Sequence, residues 1–188
     1  MTTSDIKWPR LEMVHTIAFD FDGVFTNNKV YVSETGIEHV RCDRADGLAI
    51  DMLRSYKRKR GLSFEMIILS KEKNPVVAAR ARKLQIQCIP GLDQKLICLK
   101  TYFQCARPGD ADPFSGLIYL GNDLNDLPVI ERAGFSAVPA DAHPLLRSVA
   151  SAVLDTAGGC GFVREFVERL LRIDRMTKEE LYELIHNC

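Results

Sequence analysis

The chain has 188 residues, of which 46% are hydrophobic and 27% are charged, a composition typical of one globular domain with a hydrophobic core. Lysine plus arginine and aspartate plus glutamate number 25 each, so the formal net charge is zero and no overall field favours nucleic acid or an acidic membrane as a partner. We find no run long enough to span a membrane and no apolar segment of a signal peptide, and we therefore expect no membrane partner.

Six cysteines are scattered along the chain without a C-x-x-C spacing. Two of them, Cys88 and Cys98, lie in apolar segments, where a free cysteine behaves as a small hydrophobic residue. This usage favours a reducing compartment over a disulfide-bonded or zinc-binding protein, and we expect a cytoplasmic location.

The first strand is predicted over residues 15–20, where an apolar run ends in the acidic sequence DFDG. Two β-prone runs follow at residues 29–33 and 37–41, separated by a three-residue turn that ends in Gly36. They predict a hairpin inserted after strand one. The hairpin should therefore stand above any site that the acidic sequence forms.

Strands and helices alternate along the rest of the chain. Further strands are predicted at residues 64–69, 86–89, 117–120, 136–138 and 152–154. Helices are predicted after Asp46, at 74–84, after a capping Asp93, at 127–132, 144–149 and 162–171, and in a tail at about 177–187 that opens with a Thr177–Glu180 capping box. The alternation predicts an α/β fold, a three-layer Rossmann-like parallel sheet.

Polar side chains follow several of these strands: Asp20 and Asp22, then Ser70, then Lys95, then residues 121–126 (GNDLND). Ligands of parallel α/β sheets bind beyond the carboxyl ends of the strands, so the groups should converge. Residues i and i+2 of a strand point to the same side, so the two aspartates can meet at one point. Because two carboxylates there resist burial together, the pair favours a hard cation such as Mg²⁺.

These groups suit phosphoryl transfer. Asp20 could be a nucleophile or a metal ligand, and Asp22 could protonate a leaving oxygen and later activate water. Ser70 could donate a hydrogen bond to a phosphate oxygen, and Lys95 could supply a fixed positive charge for the transition state. Each residue alone is also compatible with a solvated turn, strand end or helix start. Their joint occurrence in this order favours a site.

The order of motifs resembles the haloacid dehalogenase superfamily of phosphohydrolases, whose four signatures correspond to residues 20–24 (DFDGV), Ser70, Lys95 and residues 121–126. The resemblance implies that Asp20 is the nucleophile and that Asp22 is the general acid and base. It further implies that Ser70 and Lys95 contact the phosphate.

The same resemblance implies a Mg²⁺ site. The metal would bind the Asp20 carboxylate, the backbone carbonyl of Asp22 and a residue of the last motif, either Asn122 or Asp123. Asp126 would not bind the metal directly but would contact its ligands and hold Lys95 in place.

A more specific resemblance covers about residues 14–171, which we expect to form the core of a single domain spanning 1–188. The chain is similar to the capless branch that includes 3-deoxy-D-manno-octulosonate 8-phosphate phosphatase, nonulosonate 9-phosphate phosphatases and the C-terminal module of some CMP-sialic acid synthetases. This resemblance is based on five motifs: DGVFT at 22–26, RADGL at 44–48, PADAHP at 139–144, GGCG at 158–161 and VRE at 163–165. The branch implies no large cap domain and a homotetramer whose hairpins pair.

Three positions depart from the pattern of this branch. Asn122 stands where many relatives have an aspartate, which lowers the negative charge around the metal. Residues 70–73 (SKEK) replace the Thr-Gly-Arg typical of octulosonate-type enzymes and look more like the nonulosonate type. Cys160 occupies a position where relatives often have arginine.

The leading hypothesis is therefore a Mg²⁺-dependent phosphatase of a 2-keto-3-deoxy sugar acid phosphate, in particular a nonulosonate (sialic-acid type) 9-phosphate. Gly23, Asp46, Glu72 and Lys73 are the candidate substrate contacts, although a helix-capping Asp46 and a solvated Glu72–Lys73 pair fit the sequence equally well. Two alternatives stay open: an octulosonate 8-phosphate phosphatase, and a non-catalytic oligomerisation module associated with a nucleotide-sugar synthetase.

Overall fold

The computed structural model describes residues 6–186, and the predicted end of the tail helix at 187 lies outside this range, as do residues 1–5. The strands are β1 (Thr16–Phe19), β2 (Tyr31–Val32), β3 (Glu38–His39), β4 (Glu65–Leu69), β5 (Gln87–Ile89), β6 (Leu117–Leu120), β7 (Phe135–Val138) and β8 (Ala152–Val153). The α-helices are α1 (Arg44–Lys59), α2 (Pro75–Leu84), α3 (Lys95–Ala106), α4 (Leu127–Ile130), α5 (Pro144–Val149), α6 (Phe162–Leu171) and α7 (Lys178–His186). Between residues 6 and 186, none of the helices has the length and apolar character to cross a bilayer.

Six of the strands form one parallel sheet in the order β5-β4-β1-β6-β7-β8. β1 is central: Phe19 is level with Ile68 of β4 on one side and with Leu120 of β6 on the other. Because the three strands are parallel and end close together, the residues that follow them meet at one edge of the sheet. This is the arrangement on which the predicted site depends.

Helices cover both faces of the sheet, as the alternation of side chains along β1 requires. Ile17 and Phe19 point into one core, shared with α1, α2, α6 and α7, whereas Ala18 points into the other, shared with α3, α4 and α5. Strands buried on both faces read as continuous apolar runs, because neither face meets water. The predicted three-layer α/β fold is confirmed.

The predicted hairpin is present but shorter than its sequence suggests. β2 and β3 are two residues each, paired Tyr31 to His39 and Val32 to Glu38. Four of its apolar side chains are exposed, namely Val30, Tyr31, Val32 and Ile37. Because these four side chains have no core to pack against in the single chain, little apolar burial stabilises further pairing of the strands.

Two helix starts differ from the predictions, those of α1 and α3. α1 begins at Arg44, ahead of Asp46, because Asp43 accepts a hydrogen bond from the Ala45 N–H at 2.8 Å and caps the helix. Asp93 does not cap α3, which starts after Gln94 with no side-chain cap. The capping box before α7 is confirmed by two reciprocal backbone-to-side-chain bonds between Thr177 and Glu180, of 2.9 and 3.2 Å.

The glycine-rich segment 158–161 packs directly on the loop after β1. A Cβ added to Gly158 would lie 2.0 Å from the carbonyl oxygen of Gly23, a distance that no real side chain reaches. Gly47 in α1 is different, because a Cβ there would make ordinary contacts of 3.7 Å with Arg80 and Leu84.

These contacts predict opposite effects of one substitution. Gly158→Ala should lower the free energy of unfolding by about 2 kcal/mol, because the added methyl forces the backbone away from Gly23. Gly47→Ala should raise it by about 0.5–1 kcal/mol, because alanine loses less conformational entropy in a helix. Urea titrations followed by circular dichroism measure both, and equal midpoints for the two variants would contradict this packing.

Candidate active site

Asp20 is the first residue after the central strand, and its backbone continues the sheet with a 2.8 Å bond from its N–H to the Leu120 carbonyl. Its side chain is almost fully buried and accepts a hydrogen bond from the Phe21 N–H at 2.8 Å. The strand end therefore fixes both the position and the orientation of this carboxylate.

Lys95, the first residue of α3, places its ammonium between two carboxylates. The Nζ atom lies 2.6 Å from Oδ1 of Asp20 and 2.7 Å from Oδ1 of Asp126. All three side chains are no more than 6% exposed. Removing the lysine would leave two buried carboxylates without a compensating charge.

Asp126 is held by four hydrogen bonds at the carboxyl end of β6. Its Oδ1 accepts from the Tyr119 hydroxyl at 2.6 Å as well as from the lysine. Its Oδ2 accepts from the backbone N–H groups of Asn122 and Asp123 at 2.9 and 3.3 Å. The carboxylate thus ties the GNDLND loop to the lysine.

Burial and charge in this cluster shift the pKa values of Asp20 and Lys95. Burial, together with the negative charge of Asp126, raises the pKa of Asp20 to about 8, against the opposing effect of Lys95. Burial by itself would lower the pKa of Lys95, but the two carboxylates outweigh it and raise that pKa. Two carboxylates share one lysine, so the cluster has room for a further positive charge next to Asp20.

Asp22 is half-buried beside Asp20, in a tight loop. Burial raises the pKa of Asp22, and the hydrogen bond from the Thr26 hydroxyl at 3.2 Å partly offsets that rise. Gly23 follows with φ of +80°, and a Cβ there would lie 1.9 Å from the Asn122 side chain, so only glycine fits. A carboxylic acid with a raised pKa is suited to donate a proton.

A cavity of about 150 Å³ adjoins Asp20. Its lining is Asp20, Asp22, Asn28, Ser70, Lys71, Glu72, Asn122, Asp123 and Asn125. The Ser70 oxygen accepts from the Glu72 N–H at 3.1 Å, which leaves its proton free to donate into the cavity. Lys95 does not line this cavity, although its ammonium contacts Asp20.

The oxygen atoms of this cavity fit a hard divalent cation. Oδ1 of Asn122 is buried and has no hydrogen-bond partner, although it lies in a lining that includes Asp20 and Asp22. A buried amide oxygen without a partner is energetically costly, and a metal ion would satisfy it. Among residues 6–186 no three His, Cys, Asp or Glu side chains are grouped so that they could hold a metal, so the ligands of a cation here would include an amide or a backbone oxygen.

The other candidate substrate residues are placed differently from one another. Glu72 lines the cavity, and Asp123 lines it too while its own carboxylate accepts from the Leu124 N–H at 2.7 Å. Lys73 is exposed and its stem lies beside Gly91, outside this cavity.

Asp46 has a structural role in place of the predicted substrate contact. It is fully buried, lies outside the cavity lining and accepts a 2.9 Å hydrogen bond from the Arg164 N–H in the first turn of α6. Its second oxygen, Oδ2, is buried without a partner. Asp46 therefore caps α6 from α1, whereas the sequence suggested a cap within its own helix.

The sequence patterns did not predict the contacts that two further residues make with the site. Tyr119 reads as one more apolar residue of a buried strand, yet its hydroxyl contacts Asp126. Thr26 was assigned only to a motif, yet it binds Asp22. A tyrosine inside an otherwise aliphatic buried strand is a usable signal, because a buried hydroxyl needs a partner.

Comparisons with known proteins agree with this geometry. A scan against models of protein families finds no match. The chain is 31% identical over 163 residues to 3-deoxy-D-manno-octulosonate 8-phosphate phosphatase KdsC from Salmonella typhi, an alignment that spans 86% of this chain and 81% of that protein. It is 29% identical over 196 residues to N-acylneuraminate cytidylyltransferase A from Danio rerio, but it spans only 43% of that protein.

Solved structures give the same result. A HAD family hydrolase from Streptomyces avermitilis has a TM-score of 0.75 and 40% identity, over 88% of this chain and 95% of that one. The Moraxella catarrhalis octulosonate 8-phosphate phosphatase, solved with a magnesium ion, a phosphate ion and KDO, has a TM-score of 0.76 and 26% identity. That alignment covers 86% of this chain and 88% of the other.

The burial of Asp46 predicts a pH dependence of stability. Burial raises the pKa of Asp46 from 3.8 to about 6, although the Arg164 N–H opposes the shift. The stability that Asp46 contributes is complete below pH 4 and is lost as the pH rises through 6, because the folded state disfavours the charged form. The free energy of unfolding of Asp46→Asn, relative to that of the wild type, should therefore rise by about 2 kcal/mol between pH 4 and pH 7.

Urea unfolding of both proteins across this pH range measures the difference. The asparagine oxygen can still accept from Arg164, so the comparison isolates the charge. A free-energy difference that stays constant from pH 4 to pH 7 would show that the Asp46 carboxyl is not destabilised by burial.

Proposed function

The chain belongs to the haloacid dehalogenase family of phosphatases and is a phosphoric monoester hydrolase; we propose that it hydrolyses a 2-keto-3-deoxy sugar acid phosphate with the aid of Mg²⁺. The substrate that we put forward is a nonulosonate 9-phosphate. The proposal is supported above all by the buried cluster of Asp20, Lys95 and Asp126 at the ends of the central strands.

In the proposed reaction, Asp20 attacks phosphorus and forms an aspartyl-phosphate, and Asp22 protonates the sugar oxygen as it leaves. Asp22, now ionised, then takes a proton from water, which attacks phosphorus and releases inorganic phosphate. The Ser70 hydroxyl donates to a phosphate oxygen. Lys95 holds the nucleophile in place from below and compensates negative charge in the transition state.

Mg²⁺ would be held by the Asp20 carboxylate, the Asp22 backbone oxygen and Oδ1 of Asn122, and it would supply Lewis-acid charge to the phosphate oxygens. Support comes from the unpartnered amide oxygen and from the raised pKa of Asp20, since a nucleophile has to be ionised. Asp123 is the alternative ligand, because it lines the same cavity and is exposed.

The assignment to sugar acids draws on two kinds of relative. One acts on an octulosonate 8-phosphate by name, and the other is an N-acylneuraminate cytidylyltransferase. The SKEK sequence at 70–73, with Glu72 in the cavity, favours the nine-carbon acid. The octulosonate 8-phosphate is the second candidate, favoured by the 31% identity to KdsC.

Phosphate release from the eight- and nine-carbon sugar acid phosphates, with and without Mg²⁺, tests the assignment. The proposal predicts a higher kcat/KM for the nine-carbon substrate. A preference for the eight-carbon substrate would make the second candidate correct. A folded protein without turnover on any phosphate ester would favour the non-catalytic module.

A homotetramer is also part of the proposal. In the single chain, Tyr31, Val32 and Ile37 of the hairpin are 58–64% exposed, which is unusual for three neighbouring apolar side chains. Pairing of hairpins between subunits would cover them and complete the short strands.

Asp20→Asn should reduce kcat by more than about 10³-fold, since an amide cannot replace the nucleophile. The folded state should persist, because the substitution preserves volume and Lys95 keeps its bond to Asp126. Asp110→Asn, in a surface loop that pairs with Arg107, is the control and should keep full activity. Activity of Asp20→Asn near the wild-type level would exclude the covalent mechanism.

Asn122→Asp should lower the half-saturating Mg²⁺ concentration by roughly 10-fold, because a carboxylate adds negative charge at the metal. Calorimetric titration with Mg²⁺ measures this directly, and Asp123→Asn serves as the matched variant. If Asp123→Asn weakens binding while Asn122→Asp changes nothing, Asp123 is the ligand.

Replacing both Tyr31 and Ile37 with lysine should convert a tetramer into smaller species, because like charges would face each other across the paired hairpins. Light scattering after gel filtration gives the mass. A wild-type protein that elutes as a monomer at micromolar concentration would refute the tetramer.

A further inference from the structure

A second cavity, of about 230 Å³, adjoins the catalytic one. Asp22, Asn28 and Glu72 line both cavities, whereas Asp20 lines only the smaller one. The second cavity therefore begins at the residue that protonates the leaving oxygen and extends away from the nucleophile.

This placement assigns the second cavity to the leaving group. In-line displacement at phosphorus puts the leaving oxygen opposite the attacking carboxylate, and a general acid has to reach that oxygen. The alcohol of the substrate must therefore depart on the Asp22 side, where the second cavity lies.

The walls of the second cavity suit a polyhydroxylated chain. Val30, Val40, Val76 and Val77 form an apolar surface, and carboxylates of Glu38 and Glu72 stand at its edge. Within the described part of the chain, its lining contains no basic side chain. Carboxylates accept hydrogen bonds from hydroxyls and repel a carboxylate of the ligand.

Glu38 is fixed in its position by the start of α2. The Asn74 side chain donates from Nδ2 to Oε2 of Glu38 at 3.0 Å, and its Oδ1 accepts from the Val76 N–H at 3.0 Å, which caps the helix. One residue thus ties strand β3 of the hairpin to the sheet domain. This hydrogen bond uses Oε2 of Glu38 and not Oε1.

We propose that Glu38 is a specificity-determining residue that accepts a hydrogen bond from a hydroxyl of the leaving alcohol, near the phosphorylated carbon, with Asn74 as its positioning residue. The hydroxyl-bearing end of the substrate lies along the valines, and any acid group points away from the cavity. The identity of the alcohol as a sugar acid rests on the function proposed above, whereas the hydroxyl contact does not.

The test compares two substrates in each variant: the best sugar acid phosphate and p-nitrophenyl phosphate, whose leaving group has no other hydroxyl. Glu38→Ala should reduce kcat/KM for the sugar substrate by about 10- to 100-fold and leave p-nitrophenyl phosphate within about 2-fold. Glu34→Ala, an exposed glutamate at the hairpin turn outside this cavity, is the control and should change neither.

Asn74→Asp separates positioning from folding. Aspartate caps a helix as well as asparagine does, but it cannot donate to Glu38 and repels it. It should reproduce the selective loss on the sugar substrate, while the helix stays capped and the protein stays folded, as circular dichroism would show. Equal losses on both substrates, or no loss on either, in Glu38→Ala would overturn the proposal.

The same comparison of substrates distinguishes failure of the proposed function from failure of the proposed Glu38 contact. If the wild type hydrolyses no sugar acid phosphate, the proposed function fails, and Glu38 is judged on the best hexose or pentose phosphate in the same panel. A selective loss there supports the hydroxyl contact independently of the acid. A uniform or absent effect there rejects it.

Discussion

The structure is organised around one buried ammonium group held between two carboxylates. Lys95 contacts Asp20 and Asp126 at 2.6 and 2.7 Å, inside a cluster from which water is almost excluded. Burial of charges requires compensation, and one lysine cannot compensate two carboxylates completely. Burial, together with this excess negative charge, raises the pKa of Asp20, and a cation beside it would restore the ionised form that a nucleophile needs.

The sheet order explains how distant parts of the chain form this cluster. β1 pairs with β4 and β6, so the residues after these strands come together, while α3 begins beneath the same edge. Tyr119 and the loop after β6 then fix Asp126, and Gly23 leaves room for the Asn122 amide. The hairpin enters immediately after the acidic motif and is joined to α2 through Glu38 and Asn74. In the proposed mechanism, the core positions the attacking carboxylate, and the hairpin lines the space for the alcohol.

Much of this arrangement could be predicted from the sequence, because it depends on local patterns. Apolar runs and cap residues located α2 and α6 at their observed bounds, and strand-end polar residues indicated the edge that holds Asp20, Ser70 and the GNDLND loop. The start of α1 was misplaced although its cap is local, since Asp43 accepts from the Ala45 N–H. The burial of Asp46 against α6, in contrast, depends on a partner distant in sequence. No local pattern shows that residue 46 meets residue 164.

The central claim is that Asp20 itself is phosphorylated during turnover. It can be tested by quenching the wild-type enzyme in acid during hydrolysis of its substrate and then reducing with borohydride, which converts an acyl phosphate of aspartate into homoserine. Peptide mass spectrometry should find homoserine at position 20 and aspartate at position 22. Homoserine at position 22, or none at either position in an enzyme that is turning over, would contradict the account.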